Sequence, residues 1–181
     1  MSATTTPEFW RKLLEINLEI AVQILKKEKG ITTQFVIHTR GNEIMPVLAP
    51  FKNDQERAII YDFMKVLCAA KDAVALAVLS EAWVTTFQRN TATHTTSEGT
   101  KTEAVVVYLA YYDDAGEKRS MTAMAEIERD GGGDPTGVKS PQILDEEGLG
   151  PVHDILPDEP PTALEIKEAE AMTSKFFHKV N

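Results

Sequence analysis

The sequence is poor in cysteine and in long apolar runs. Cys68 is the single cysteine of the chain, which excludes an intramolecular disulfide framework and a structural zinc site built from cysteines. The longest apolar run, Ala73–Leu79, falls far short of the roughly 20 residues that cross a bilayer. The first residues lack the basic segment and apolar stretch of a secretion signal. The sequence therefore predicts a cytoplasmic protein without membrane contact.

Positive charge is also scarce. The chain has 19 Lys+Arg against 28 Asp+Glu, for a formal net charge of -9. Nucleic-acid binding needs Lys and Arg gathered on one surface, so no nucleic-acid partner is expected. The nearest basic cluster, Lys26, Lys27 and Lys29, falls in the last turn of a predicted helix, where cations complement the helix dipole. The acidic excess is concentrated after residue 140.

Three segments have helical periodicity. Thr6 followed by Pro7 predicts a helix that runs to Gly30. Asn53 with Glu56 predicts a second helix that ends near Lys71, and a third pattern opens at Pro161-Thr162. The apolar stripe of the first helix consists of Phe9, Leu13, Ile16, Ile20 and Ile24, widened by Leu14, Ala21 and Leu25.

Strand patterns fill most of the remaining chain. Ile31–Thr39 and Glu43–Leu48 flank a turn, and Pro46 favours an edge position for the second of them. Ala73–Phe87 is apolar at every position at its start and alternates later, as is typical of a central strand. Two further strands, predicted as a hairpin, are Glu103–Tyr112 and Lys118–Arg129.

These elements predict an α+β fold. We expect an antiparallel sheet of about five strands with two helices on one face, in the order α-β-β-α-β-β-β, and a C-terminal helix after an acidic linker. The expected division is an α+β domain over residues 1–130, a Gly/Pro/acidic linker over 131–161 and an amphipathic helix over 162–181. The element order is similar to that of roadblock, longin and profilin-like domains, which commonly dimerise or dock.

A closer resemblance rests on the sequence Ser80-Glu81-Ala82-Trp83 in the long strand. Together with the preceding helix Asp54–Lys71 and the following Glu103–Val107, it resembles small bacterial and phage proteins over residues 7–130. The resemblance implies no activity, because none is established for such proteins.

Glu81 is the strongest candidate for chemistry, because a carboxylate inside an apolar strand is costly to bury without a partner. Strand alternation places it on one face with Trp83, and Glu103 lies nearby if their strands pair. With Glu126 and Glu128, these carboxylates suit a divalent cation or acid–base chemistry. The alternative interpretation is that the glutamates are solvent-exposed or paired with Arg89, Arg119 or Arg129.

Other reactive residues lack a supporting pattern. Ser80 has no nucleophile turn around it, and Cys68 is expected to be a small buried residue. The histidines show no metal-ligand spacing; they are His38, His94, His153 and His178. We therefore predict no catalytic residue, no metal site and no cofactor.

Aromatic and apolar side chains exceed what one core face needs. Tyr108 and Tyr112 lie on one face of a late strand, while Met172 and Phe176 belong to the terminal helix. Surplus apolar surface of this kind marks interaction sites, so these four residues are predicted to contact a partner.

The favoured prediction is a non-enzymatic protein-interaction or dimerisation module that forms a homo-oligomer, through its sheet or terminal helix, or binds an unidentified protein partner. The alternative is an enzyme or small-ligand or metal binder with a carboxylate pocket around Glu81, Trp83 and Glu103. A third hypothesis is an acidic segment, residues 145–170, that mimics nucleic acid for a basic partner.

Overall fold

The computed structural model describes residues 6–86, 89–90, 95–96, 100–144 and 152–177. Within these ranges the chain forms three helices and eight strands. In chain order they are α1 (Pro7–Glu28), β1 (Gln34–Thr39), β2 (Ile44–Leu48), α2 (Asp54–Ala70), β3 (Ala73–Thr86), β4 (Arg89–Asn90), β5 (Thr95–Thr96), β6 (Thr100–Tyr112), β7 (Lys118–Arg129), β8 (Pro135–Leu144) and α3 (Ala163–Phe177).

Six strands form one antiparallel sheet in the order β2-β1-β3-β6-β7-β8, and β4 pairs with β5 separately. The long strands β3 and β6 occupy the centre and pair from Ala75 opposite Tyr111 to Thr86 opposite Thr100. The α+β class, the central position of β3 and the β6–β7 hairpin are confirmed. Pro46 lies in β2 at the sheet edge, where a residue without an N–H leaves no central hydrogen bond unmade.

The expectation that both early helices cover one face of the sheet is wrong. The β3 side chains Ala75, Ala77 and Leu79 pack in the cluster that contains α1, whereas Leu76 and Val78 pack in the cluster that contains α2. The two helices therefore lie on opposite faces. The physical reason is the unbroken apolar start of β3, which needs cover on both sides.

The strand count is six in the main sheet rather than about five. Pro135–Leu144, assigned to the linker by composition, forms β8 along β7. An ion pair of 3.0 Å joins Lys139 to Glu126 across the two strands, and Val138 and Ile143 pack against the cluster beneath α1. Residues 145–151 of the predicted linker lie outside the described residues.

The predicted helix starts are confirmed by their hydrogen bonds. The Thr6 hydroxyl accepts from the backbone N–H of Phe9, and Asn53 Oδ1 accepts from the N–H of Glu56 at 2.8 Å. These side chains satisfy backbone donors that a helix start leaves open. α1 ends at Glu28 and is followed by the C-cap Lys29, which has a left-handed conformation with φ of 64°.

A segment following the undescribed stretch covers the α2 face of the sheet. Val152, Ile155 and Leu156 are buried in the same core as α2. The Tyr112 hydroxyl donates to the carbonyls of Pro157 at 2.7 Å and Glu159 at 3.1 Å. This face is therefore closed by the chain itself, with α3 packed on α2 at its outer side.

Candidate functional site

Glu81 lies half-buried in β3, beside the point where the chain leaves α1. Its Oε1 accepts a hydrogen bond of 2.7 Å from the backbone N–H of Ile31. A Cβ on Gly30 would lie 3.6 Å from the same oxygen. Glu81 thus anchors the α1–β1 connection to the central strand, which satisfies the carboxylate with a backbone donor.

Trp83 and Glu103 lie directly opposite each other on β3 and β6. Arg129 donates to both Glu103 oxygens, at 2.8 Å and 2.6 Å. These hydrogen bonds hold the pKa of Glu103 below its ordinary value. Trp83 is 70% exposed to solvent.

The structure brings Glu81, Trp83 and Glu103 to one end of the sheet but joins the carboxylates to donors rather than to one another. Glu126 pairs with Lys139 on the neighbouring strand. Among the described residues no three His, Cys, Asp or Glu side chains gather as a metal-binding group. The ligand-binding role of this region stays a prediction.

Cys68 is fully buried at the end of α2, and burial raises the pKa of its thiol to about 12. A thiol that keeps its proton at neutral pH is a poor nucleophile. His38 and His153 lie on different elements, and His94 and His178 are outside the described residues. These placements add no catalytic centre to the described part of the chain.

The predicted interaction residues fall into two groups. Tyr108 and Tyr112 are only 7% and 6% exposed and belong to the core beneath α2, and the Tyr108 hydroxyl lies 3.2 Å from His153 Nδ1. Neither ring presents an open surface. Met172 is 59% exposed on α3, and the side chain of Phe176, near the end of that helix, lies outside the described residues.

An open depression of about 760 Å³ lies between the β6–β7 turn and the segment after Val152. The buried ammonium of Lys118 donates there to the carbonyls of His153 at 3.0 Å and Leu156 at 3.1 Å, and it pairs with Asp158. The ammonium is thus already fully engaged, which indicates a structural role for this corner.

α1 carries two adjacent rows of mainly apolar residues. The sheet covers the row that includes Leu14, Ala21 and Leu25, which the sequence predicted to lie beside the main stripe. The row against the sheet consists of Trp10, Leu14, Asn17, Ala21 and Leu25. In the predicted stripe, Phe9 is 50% exposed, Ile16 41% and Ile20 43%, while Leu13 and Ile24 are half-buried. The larger apolar stripe therefore faces outward from the flank of the helix.

The position of α1 on the sheet follows from its contacts with the strands. α1 packs mainly over β6, β7, β3 and β8. On its other flank, Lys26 Cε lies 3.8 Å from where a Cβ on Gly137 of β8 would be. The stripe lies on the flank of the helix opposite to Lys26, and α1 has few contacts with β1 or β2.

On the α1 side of the sheet, β2 exposes apolar side chains. Met45 and Val47 pack into the α2 core, and strand alternation turns Ile44, Pro46 and Leu48 to the α1 side. Ile44 is 63% exposed and Leu48 is 65% exposed. The outward stripe of α1 and these exposed residues of β2 lie on the same side of the sheet. Together they are named the α1–β2 surface, which comprises Phe9, Leu13, Ile16, Ile20, Ile24, Val36, Ile44, Pro46 and Leu48.

Sequence reasoning identified every α1 member of this surface but expected the stripe to be internal. The excess of apolar residues on α1 was the sequence feature that indicated an exposed stripe. A helix that packs on a sheet with one side needs only one row of apolar residues. For β2, the signal was Pro46 at an edge flanked by Ile44 and Leu48.

Comparison of the chain with models of known families, with curated proteins and with solved structures finds no match in any of the three. The resemblance to small bacterial and phage proteins stays a prediction. Within the described ranges, α1, α2 and α3 all lack the continuous apolar length that crossing a bilayer requires.

Proposed function

We propose that the protein is a non-enzymatic interaction module that binds a protein partner through the α1–β2 surface. The observation that carries this proposal is the outward apolar stripe of α1 together with the exposed apolar residues of β2 on the same side of the sheet. Isolated exposed apolar residues are normal on soluble proteins, but a contiguous patch marks a binding surface.

The size of the patch supports the proposal. Five of its large apolar residues are each 41% to 65% exposed, and together they form a patch on the order of 500 Å² per chain. This equals the largest patch on a typical monomer, which is itself often functional. The opposite face of the sheet, by contrast, is closed by α2 and by residues 152–156.

The pocket hypothesis around Glu81, Trp83 and Glu103 has less support. Ile31 and Arg129 already supply hydrogen bonds to the two carboxylates, so a ligand or cation has to compete with existing donors. Binding by the α1–β2 surface displaces only water from apolar side chains, which is favourable without any rearrangement.

Site-specific photocrosslinking in cells tests this proposal. A benzophenone amino acid replaces Leu48 in the α1–β2 surface or, as a matched control, the similarly exposed Ile59 of α2, which is 59% exposed. We expect a discrete protein adduct after irradiation with the label at Leu48 and none at Ile59. The absence of an adduct at Leu48, or equal adducts at both positions, contradicts the proposal.

A further inference from the structure

We infer that the partner seated on the α1–β2 surface is a second copy of this chain, whose α1 runs antiparallel to the first. This inference rests on the proposed function and names its partner. It draws on the spacing of the apolar stripe, on the charges beside it and on the area available.

The outward stripe has the spacing of a helix-pair seam. Phe9, Leu13, Ile16 and Ile20 are separated by four, three and four positions, the alternation that keeps apolar side chains on the seam between two helices. From Phe9 to Ile24 the stripe is roughly 22 Å long at 1.5 Å per residue. A second helix with the same spacing is its natural complement.

Charges beside the stripe favour the antiparallel direction. The pairing that sets Phe9 opposite Ile20, and Leu13 opposite Ile16, brings Lys12 beside Glu19 of the second copy. Two-fold symmetry repeats this contact, so the interface gains two opposite-charge pairs. Lys12 and Glu19 are both exposed. A parallel pairing would instead place Lys12 level with Lys12 of the second copy and Glu19 level with Glu19, so that no opposite charges face each other.

The area fits a moderate homodimer. Ile44 and Leu48 lie on the same side of the sheet as α1 and are more than half exposed. We expect the second copy to extend over β2 and cover them. Two chains that each bury about 500 Å² reach the lower limit of about 1,000 Å² for a specific interface. We expect a dissociation constant in the micromolar range.

Charge reversal of the full chain tests the inference. Sedimentation equilibrium gives the dissociation constant of the wild type, Lys12→Glu, Glu19→Lys and the double variant. We expect each single reversal to weaken the dimer about tenfold, because both symmetric pairs become repulsive. The double variant restores opposite charges and should return to within about threefold of the wild type. Lys65→Glu on α2 is the matched control, because Lys12 and Lys65 each pair with an acid three residues away on their own helix, Lys12 with Glu15 at 3.5 Å and Lys65 with Asp62 at 3.9 Å.

The other outcomes overturn the inference. A wild-type chain that stays monomeric up to several hundred micromolar has no such dimer, and a dimer that the double variant does not restore uses another pairing. Lys12 and Glu19 are exposed, so their reversal should leave the fold intact. Circular dichroism of each variant verifies its helix content. If the chain is monomeric but Leu48 still crosslinks to a protein of different mass, only the second-copy inference fails. If neither association nor an adduct is found, the proposed function fails with it.

Discussion

Lys118 shows how a single buried charge fixes a distant segment at the residue scale. Its side chain is only 6% exposed, and its ammonium donates hydrogen bonds to three oxygens: the carbonyls of His153 and Leu156 and the carboxylate of Asp158. The ammonium lowers the pKa of Asp158 through its hydrogen bond. Nothing in the local sequence indicates this role, because the contacts span about 40 residues of chain.

Replacing Lys118 by Met should lower the free energy of unfolding by about 2 to 3 kcal/mol, because two buried carbonyls lose a charged donor. Urea unfolding followed by circular dichroism measures the change. Lys65→Met, on the exposed face of α2, is the control and should change stability by less than about 0.5 kcal/mol. Equal effects of the two substitutions contradict a structural role for Lys118.

His38 should make the fold sensitive to acid. Burial lowers the pKa of its imidazole below 6.5, and within the described residues its Nε2 has no hydrogen-bond partner. The unfolded chain therefore binds a proton at His38 more readily than the folded chain does. The stability that comes from keeping His38 neutral is present above pH 6.5 and is lost as the pH falls below that value.

The comparison of His38→Gln with the wild type isolates the pH-dependent contribution of His38 to the free energy of unfolding. Between about pH 7.5 and 5.5 the wild type should lose more stability in urea than the variant does, since Gln does not titrate. Parallel stability curves across that interval contradict the assignment.

At the scale of elements, α1 shows what periodicity can and cannot decide. Its start, its length and its apolar residues all follow from the sequence. The choice between two adjacent apolar rows does not, because both rows satisfy helical spacing. The sheet selects the row with Trp10, whose ring stacks on Tyr111 at 4.7 Å between centroids.

A pair of substitutions distinguishes the two rows. Leu14→Ala in the sheet-facing row should destabilise the chain by about 3 kcal/mol, because it opens a cavity at a side chain with no exposure. Ile16→Ala should cost less than about 1 kcal/mol at dilutions where the chain is monomeric. Thermal or urea unfolding at low concentration measures both. If Ile16→Ala lowers the stability more than Leu14→Ala does, the row with Leu14 is not the one that packs against the sheet.

β8 and the opposite placement of α1 and α2 were beyond sequence reasoning for a related reason. β8 is an edge strand held by pairing to β7 and by the Lys139–Glu126 ion pair, and its Gly, Pro and Ser content obscures any alternation. The face that each helix covers is a tertiary choice. The apolar start of β3 was the one local signal that both faces need cover.

The sequence allowed the residues of the candidate site to be predicted, but not the hydrogen-bond partners of its carboxylates. The pairing of β3 with β6 places Trp83 opposite Glu103, as the strand pattern allowed. The donors that engage Glu81 and Glu103 come from Ile31, 50 residues away, and Arg129, 26 residues away. Such long-range partners have no signature in a single sequence.

On the scale of the whole molecule, the two faces of the sheet are covered unequally. One face has α2, residues 152–156 and, outside them, α3. Among the described residues the other face has α1 as its only helix, with the apolar residues Ile44 and Leu48 of β2 exposed on the same side. A layered fold is stable when each apolar face is buried, and the dimer that we propose would bury these residues.

Sedimentation equilibrium of the wild type, Ile20→Glu and Ile59→Glu tests this account most directly. Ile20 lies in the α1–β2 surface, whereas the more exposed Ile59 lies on α2. We expect the wild type and Ile59→Glu to approach twice the mass of one chain at high micromolar concentration, and Ile20→Glu to remain at the mass of one chain, because a carboxylate in an apolar interface loses its hydration. A monomeric wild type, or an Ile20→Glu variant that dimerises as tightly as Ile59→Glu, would contradict it.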